Sequence, residues 1–117
     1  MAHAAITGWG KGMPPAVLRN ADLATFLDTD DAWILSRTGM RERRITHVPL
    51  AEMAAVAGAR ALACAGLAAG DVDLVVMGCS LPDEVCPNMA SALSQRLGTA
   101  LAAAMDVNTA CTSFSYG

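Results

Sequence analysis

Long uncharged apolar runs are absent from this sequence, although 54% of its 117 residues are apolar and only 16% are charged. Asp, Glu or Arg interrupts every long apolar stretch, so no segment reaches the roughly eighteen residues that a membrane-spanning helix needs. The start of the chain also lacks the basic segment and apolar core of a signal peptide. We therefore expect a cytoplasmic protein without membrane segments.

The shortage of charge has a second consequence. A chain of this length forms one small domain at most, and a small domain has too much surface to bury so much apolar material by itself. We therefore expect part of this material to be buried against a second half of a larger fold, a partner subunit, or both.

No C-x-x-C pair is present, and neither histidine is near a cysteine in the sequence. The cysteines are Cys64, Cys79, Cys86 and Cys111. Without a secretion signal, reduced thiols are favoured over disulfides, and the spacing predicts no zinc or other metal site. We expect Cys64 and Cys79 to be packing residues.

A strong positive charge is also lacking, because the net charge is −3, and this argues against general nucleic-acid binding. Half of the eight basic residues nevertheless lie in one short stretch. They are Arg37, Arg41, Arg43 and Arg44.

The first part of the chain predicts short elements separated by turns. Ala4 to Thr7 is typical of a strand and leads into a Gly/Pro loop, Gly8 to Pro15. Asn20 is a good N-cap for a helix that continues through apolar residues at helical spacing. A second helix is predicted around Asp30 to Arg37, and the stretch "RERRITHV" predicts a short strand.

The second part predicts longer elements. Leu50 to Ala65 has a helical pattern with Gly66 as a left-handed end. The valine-rich run Val72 to Gly78 is typical of a parallel strand buried on both faces. Pro87-Asn88 begins another helix that ends at Gly98, and Leu101 to Val107 is the next strand. This order predicts an α/β layered fold.

Cys111 lies where the last predicted strand turns into the start of a helix, in the stretch "DVNTACTSFSYG". Backbone N–H groups and the helix dipole at such a point stabilise a thiolate. A strand-to-helix turn also exposes the side chain above the sheet edge, as in nucleophile elbows. The alternative is a buried structural cysteine.

Two motifs carry a resemblance to a known family. The stretch "DTDDAWILSRTGMRERRI" followed by "DVNTACTSF" resembles the β-ketoacyl-ACP synthase III family of the thiolase superfamily. The similarity runs from about Ile6 to the last residue. It implies the first part of the N-terminal half of a thiolase-like α/β fold, with residues 1–117 as an incomplete half that ends just after the nucleophile.

The resemblance also implies a reaction and its participants. Cys111 would take an acyl group from acyl-CoA and pass it to malonyl-ACP in a decarboxylative condensation that starts fatty acid synthesis. Thr29, Trp33 and Arg37 would line the mouth of the CoA tunnel. No cofactor is implied beyond these substrates, and the family is usually homodimeric. His3 and His47 match no catalytic position; His47 is expected on the surface.

The remaining arginines, Arg41, Arg43 and Arg44, are expected to be mostly structural and paired with Glu42 or other acids. Two departures leave the acyl primer open. Thr112-Ser113 follow the cysteine where the bacterial enzymes usually have Ala-Gly, and Cys86 stands where an aromatic usually crosses the dimer interface to shape the partner's acyl pocket. The alternatives are a related enzyme of signal or secondary-metabolite synthesis and a non-catalytic α/β interaction module.

Overall fold

The computed structural model describes residues 3–117, which form two compact units. The small unit is Met13–His47, and the large unit combines residues 3–12 with Val48–Gly117.

The small unit is a β-hairpin-like pair with two short helices between its strands. Its elements are β1 (Ala16–Arg19), α1 (Asn20–Leu23), α2 (Asp31–Thr38) and β2 (Glu42–Ile45). The strands are antiparallel, with Ala16 opposite Ile45 and Arg19 opposite Glu42. The predicted second helix and the strand after it are confirmed. β1 was not predicted, because its partner strand is distant in sequence.

α2 has the ends that its sequence favours. The Asp30 carboxylate accepts a hydrogen bond from the Trp33 N–H at 2.7 Å, so Asp30 is the N-cap. Gly39 ends the helix in the left-handed conformation, with φ of 70°.

The predicted role of Asn20 as an N-cap is wrong. Asn20 is the first residue of α1, and its side chain is 1% exposed and turned inward. The helix also ends at Leu23, earlier than predicted. The Thr25 hydroxyl donates to the Asp22 carbonyl at 2.7 Å, and such local side-chain bonds compete with helical ones.

The large unit contains the longer elements. They are α3 (Leu50–Ala65), β3 (Leu74–Gly78), α4 (Met89–Leu97), β4 (Ala103–Val107) and α5 (Ser113–Tyr116), with short 3₁₀ turns at Ala69–Asp71 and Ala110–Thr112. The predicted helix over residues 50–65 is confirmed, and Gly66 and Gly98 end α3 and α4 with φ of 69° and 75°. Asn88 caps α4 by accepting from the Ser91 N–H at 3.0 Å.

β3 and β4 pair in parallel, as predicted, from Leu74 opposite Ala103 to Gly78 opposite Val107. The predicted burial of β3 on both faces is wrong, because only Val75 of this strand is buried and Leu74 is 50% exposed. α4 packs on this pair, and the buried core consists of Val75, Ala90 and Leu93. Asp106 of β4 also accepts hydrogen bonds from the first amides of α4, at 2.9 Å from Met89 and 2.7 Å from Ala90. These bonds satisfy amides that a helix start otherwise leaves unpaired.

The strand predicted at residues 4–7 is wrong. The structure assigns no strand there, and Ile6 is 91% exposed. A strand needs a paired neighbour, and within residues 3–117 these residues have none. The chain that follows lies along α3 instead.

Three alternating glycines make this approach to α3 possible. A Cβ placed on Gly8, Gly10 or Gly12 would overlap the α3 carbonyl oxygens of Ala61, Ala57 and Met53 respectively. Two residues of extended chain span about 6.7 Å and four helical residues about 6 Å, so one glycine meets each turn of the helix. The Arg60 guanidinium donates to the Lys11 carbonyl at 2.6 Å and holds the same segment.

Many large apolar side chains remain on the surface. Leu101, Phe114 and Ile6 are more than 90% exposed. The apolar excess of the sequence therefore lies largely outside the core of the described residues. No helix in residues 3–117 is long and apolar enough to span a bilayer.

We predict that Gly10→Ala lowers the free energy of unfolding of the full-length protein by about 3 kcal/mol, because overpacking costs about 1–3 kcal/mol and the atoms it meets are backbone. The matched control is Gly70→Ala, whose Cβ would meet nothing within 4 Å. Chemical denaturation of both variants measures the difference. Equal midpoints for the two variants would contradict the packing described.

Candidate functional site

An open cleft of about 690 Å³ lies in the small unit. It is lined by Leu23, Leu27, Asp28, Thr29, Asp30, Trp33, Ile34, Thr38 and Arg43. Two of the three predicted CoA-binding residues, Thr29 and Trp33, are in this lining. The Thr29 hydroxyl oxygen is buried and has no hydrogen-bond partner within the described residues, and a buried polar group left unpaired in this way calls for an explanation.

α2 presents Trp33 and Arg37 together. They are four residues apart, hence neighbours on one helix face, and the guanidinium carbon lies 5.9 Å from the centre of the indole ring. This is a cation–π distance. The adjacent residue Ile34 is buried at 7% exposure and anchors the helix, whereas Trp33 is 56% exposed. An indole face and a guanidinium are thus both accessible beside the cleft.

Asn20 connects the elements around the cleft. Its side-chain amide donates to the Asp31 carboxylate and to the Met40 carbonyl, each at 2.8 Å. Its carbonyl oxygen accepts from the Arg43 guanidinium at 2.8 Å. One buried amide therefore ties α1 to the start of α2 and to β2. Sequence reasoning missed this role because Asn20 also fits a helix cap.

Two of the arginines after α2, Arg43 and Arg44, make structural hydrogen bonds, but the predicted acidic partners are wrong for both. Arg43 donates to the Leu18 carbonyl at 3.2 Å in addition to Asn20. Arg44 donates to the carbonyls of Pro14 and Pro15, at 3.4 and 3.2 Å. The antiparallel pairing of β1 with β2 brings these carbonyls within reach of the two arginines. The sequence pattern did not predict this pairing.

Cys111 lies in the 3₁₀ turn between β4 and α5, and it is exposed. The expected strand-to-helix junction is therefore present. Ala110, immediately before it, has φ of 49°. Alanine rarely occupies the left-handed region, and such strain is concentrated at functional sites.

The buried side chain of Ser113 stabilises this turn with hydrogen bonds. It is 6% exposed, and its hydroxyl accepts from the Thr109 N–H at 3.0 Å and donates to the Ala110 carbonyl at 2.9 Å. A Cβ on Gly78 would lie 3.0 Å from the Ser113 Cβ, so β3 passes directly against this serine. From the sequence, Ser113 was interpreted as a small residue that leaves room for a tight turn and as a departure from the family pattern, and its hydrogen-bonding role was missed.

The other three cysteines differ in exposure. Cys86 is exposed in the loop between β3 and α4, and Cys79 is buried directly after β3. Cys64 is exposed, so its predicted packing role is wrong; it lies on the solvent side of α3. All four thiols are free. His47 is on the surface, as predicted, and His3 is exposed as well.

No family model matches the chain. Similar proteins are nevertheless found by sequence. The chain is 53% identical over 115 residues to a β-ketoacyl-[acyl-carrier-protein] synthase III 2 of Vibrio cholerae. The alignment covers 98% of the chain and 32% of the relative. The chain is a homologue of part of β-ketoacyl-ACP synthase III. It spans about a third of the length of this curated relative.

Solved structures agree with this relationship. The 3-oxoacyl-ACP synthase III of Aquifex aeolicus superimposes with a TM-score of 0.91 at 36% identity, over 95% of this chain and 36% of that one. The priming β-ketosynthase of the R1128 polyketide pathway gives 0.90 at 31% identity, over 95% and 34%. The predicted thiolase-like α/β fold is confirmed for the part of a synthase III that this chain spans.

Proposed function

We propose that this chain supplies the nucleophile and part of the CoA-binding surface of a longer synthase III-type acyltransferase, which starts fatty acid synthesis. The observation that carries the proposal is the exposed Cys111 thiol, held in a turn beside a strained alanine. The homology to synthase III supports the reaction class.

In the proposed reaction, the Cys111 thiolate attacks the carbonyl carbon of an acyl-CoA thioester and forms an acyl-cysteine, and CoA leaves as its thiolate. Malonyl-ACP then loses CO₂, and the resulting enolate attacks the acyl-cysteine. The new carbon–carbon bond yields β-ketoacyl-ACP, and the Cys111 thiolate is released.

The small unit would bind the CoA part of the substrate. An indole face stacks on a purine, and a guanidinium pairs with phosphate as a planar fork. Trp33 and Arg37 offer both groups on one helix face. The buried Thr29 hydroxyl has no partner within the described residues and would bond the substrate only after its side chain rotates outward.

Exposed apolar residues support the proposal that more protein covers this chain in the working enzyme. Side chains such as Leu101 and Phe114 are almost fully exposed. The remainder of a longer polypeptide and a second subunit of a homodimer would bury them. We place this enzyme in the cytoplasm, with acyl-CoA and malonyl-ACP as substrates and no further cofactor.

A second candidate is a priming ketosynthase of secondary metabolism. The likeness to the R1128 polyketide enzyme favours it, as do the unusual Thr112-Ser113 and Cys86. The primer that the enzyme accepts separates the two candidates, because fatty acid initiation by acetyl-CoA predicts a two-carbon acyl group.

We predict that the full-length protein, incubated with acetyl-, butyryl- or hexanoyl-CoA, gains one acyl group on the peptide that contains Cys111. Peptide mass spectrometry measures the gain. Cys111→Ala should abolish it, and Cys64→Ala, which alters another exposed thiol, should not. A folded protein that none of the three thioesters acylates would instead be a non-catalytic module.

We predict that Trp33→Ala and Arg37→Ala each raise the KM for acyl-CoA about five- to tenfold with little change in kcat. Each contact is worth about 1 kcal/mol and is made in the ground and transition states alike. Arg96→Ala is the matched control, since Arg96 is also a basic residue in the last turn of a helix. An unchanged KM in both test variants would refute CoA binding by α2.

We predict that the enzyme prefers primers longer than acetyl, because Cys86 is much smaller than the aromatic that it replaces in the proposed acyl pocket. Each added methylene in an apolar pocket contributes about 0.8 kcal/mol, so kcat/KM should rise about fourfold per carbon until the pocket is full.

Cys86→Phe should restore a preference for acetyl-CoA, and Cys64→Phe should leave the chain-length profile unchanged. The profile is measured as kcat/KM across a series of acyl-CoA primers. If Cys86→Phe behaves like the Cys64 control, Cys86 does not line the pocket.

A further inference from the structure

We propose that Ser113 is a positioning residue for the Cys111 nucleophile: its hydroxyl holds the strained backbone that presents the thiol. This inference rests on the proposed function of Cys111. It is carried by the hydrogen bonds, the backbone conformation and the burial of the residues around the turn.

The Ser113 hydroxyl binds both sides of the strained residue. It accepts from the Thr109 N–H at 3.0 Å, on the N-terminal side of Ala110, and donates to the Ala110 carbonyl at 2.9 Å, on the C-terminal side. A serine hydroxyl has one proton to donate and lone pairs to accept, so both bonds can form at once. The bond to the Ala110 carbonyl holds the Ala110–Cys111 peptide group, and the bond from the Thr109 N–H ties it to the Asn108–Thr109 peptide group on the other side of Ala110.

Ala110 needs such support. Its φ of 49° lies in the left-handed region, which disfavours every residue with a Cβ. Strained conformations of this kind persist only where the surroundings over-determine them. Without the hydroxyl, Ala110 would relax toward a common conformation, and the next residue, Cys111, would turn with it.

The surroundings keep the Ser113 side chain in place. The residue is 6% exposed, and the backbone of β3 passes so close at Gly78 that no Cβ fits there without a shift. The hydroxyl is therefore shielded from water that would compete for its bonds. The Thr112 hydroxyl and the Thr112 N–H both donate to the Thr109 carbonyl, at 2.7 and 3.2 Å, and hold the peptide group that precedes Ala110.

The test compares four full-length proteins: wild type, Ser113→Ala, the double variant Ala110→Gly/Ser113→Ala, and Ser115→Ala. Glycine adopts positive φ without strain, so a glycine at position 110 no longer needs the Ser113 hydroxyl to hold its conformation. Ser115 is an exposed serine of the same short helix and serves as the control. The rate constant and KM for acylation of Cys111 by acyl-CoA are measured, with thermal stability recorded for each variant.

Ser113→Ala should lower the acylation rate constant 10- to 100-fold with KM changed less than twofold, because a small misplacement of a reacting group has effects of this size. On a logarithmic scale of rate constants, the double variant should recover at least half of that loss. Ser115→Ala should match wild type. If Ser113 acted only through stability, Ala110→Gly would not restore the acylation rate constant.

Two outcomes of the acylation assay overturn the inference while leaving the proposed function intact: wild-type rates in Ser113→Ala, or a loss that Ala110→Gly does not reduce. Absence of acylation in the wild-type protein would instead refute the proposed function itself. Iodoacetamide labelling of Cys111 in the same four proteins then gives an independent readout. A slower rate in Ser113→Ala, recovered in the double variant, supports the positioning role, and equal rates refute it.

Discussion

The parallel pairing of β3 with β4 is the constraint on which the large unit depends. It sets Gly78 opposite Val107, so the chain that leaves β4 turns directly over the end of β3. A Cβ at position 78 would lie only 3.0 Å from the Ser113 Cβ, so any side chain there would force Ser113 to shift. The same strand provides Asp106, which accepts the first amides of α4. Register, helix placement and the Cys111 turn are thus consequences of one pair of strands.

Much of this arrangement could be predicted from the sequence where the signal is local. Gly66 and Gly98 end their helices in the left-handed conformation because glycine alone adopts it without cost. Asp30 and Asn88 cap α2 and α4 through bonds to residues three positions later. The position of Cys111 at a strand-to-helix junction followed from the same local patterns.

Prediction failed where a residue's partner is distant in sequence. β1 is defined by pairing with β2, and Asn20 is drawn away from a capping role by Asp31 and the Met40 carbonyl. In the predicted Gly/Pro loop, Gly8, Gly10 and Gly12 pack against α3. The sequence could not predict this role, because it depends on which helix lies beside the loop. Ser113 was missed because its importance depends on the conformation of Ala110.

The apolar core of the large unit is small, with Val75, Ala90 and Leu93 at its centre. Such a core fixes the layers but specifies little about the turns between them, because hydrophobic contact is not directional. Hydrogen bonds are directional, and a buried polar group left unpaired is costly. The buried hydroxyl of Ser113 and the buried amide of Asn20 therefore set the conformations from which Cys111 and Trp33 project, and the candidate functional side chains can themselves stay exposed.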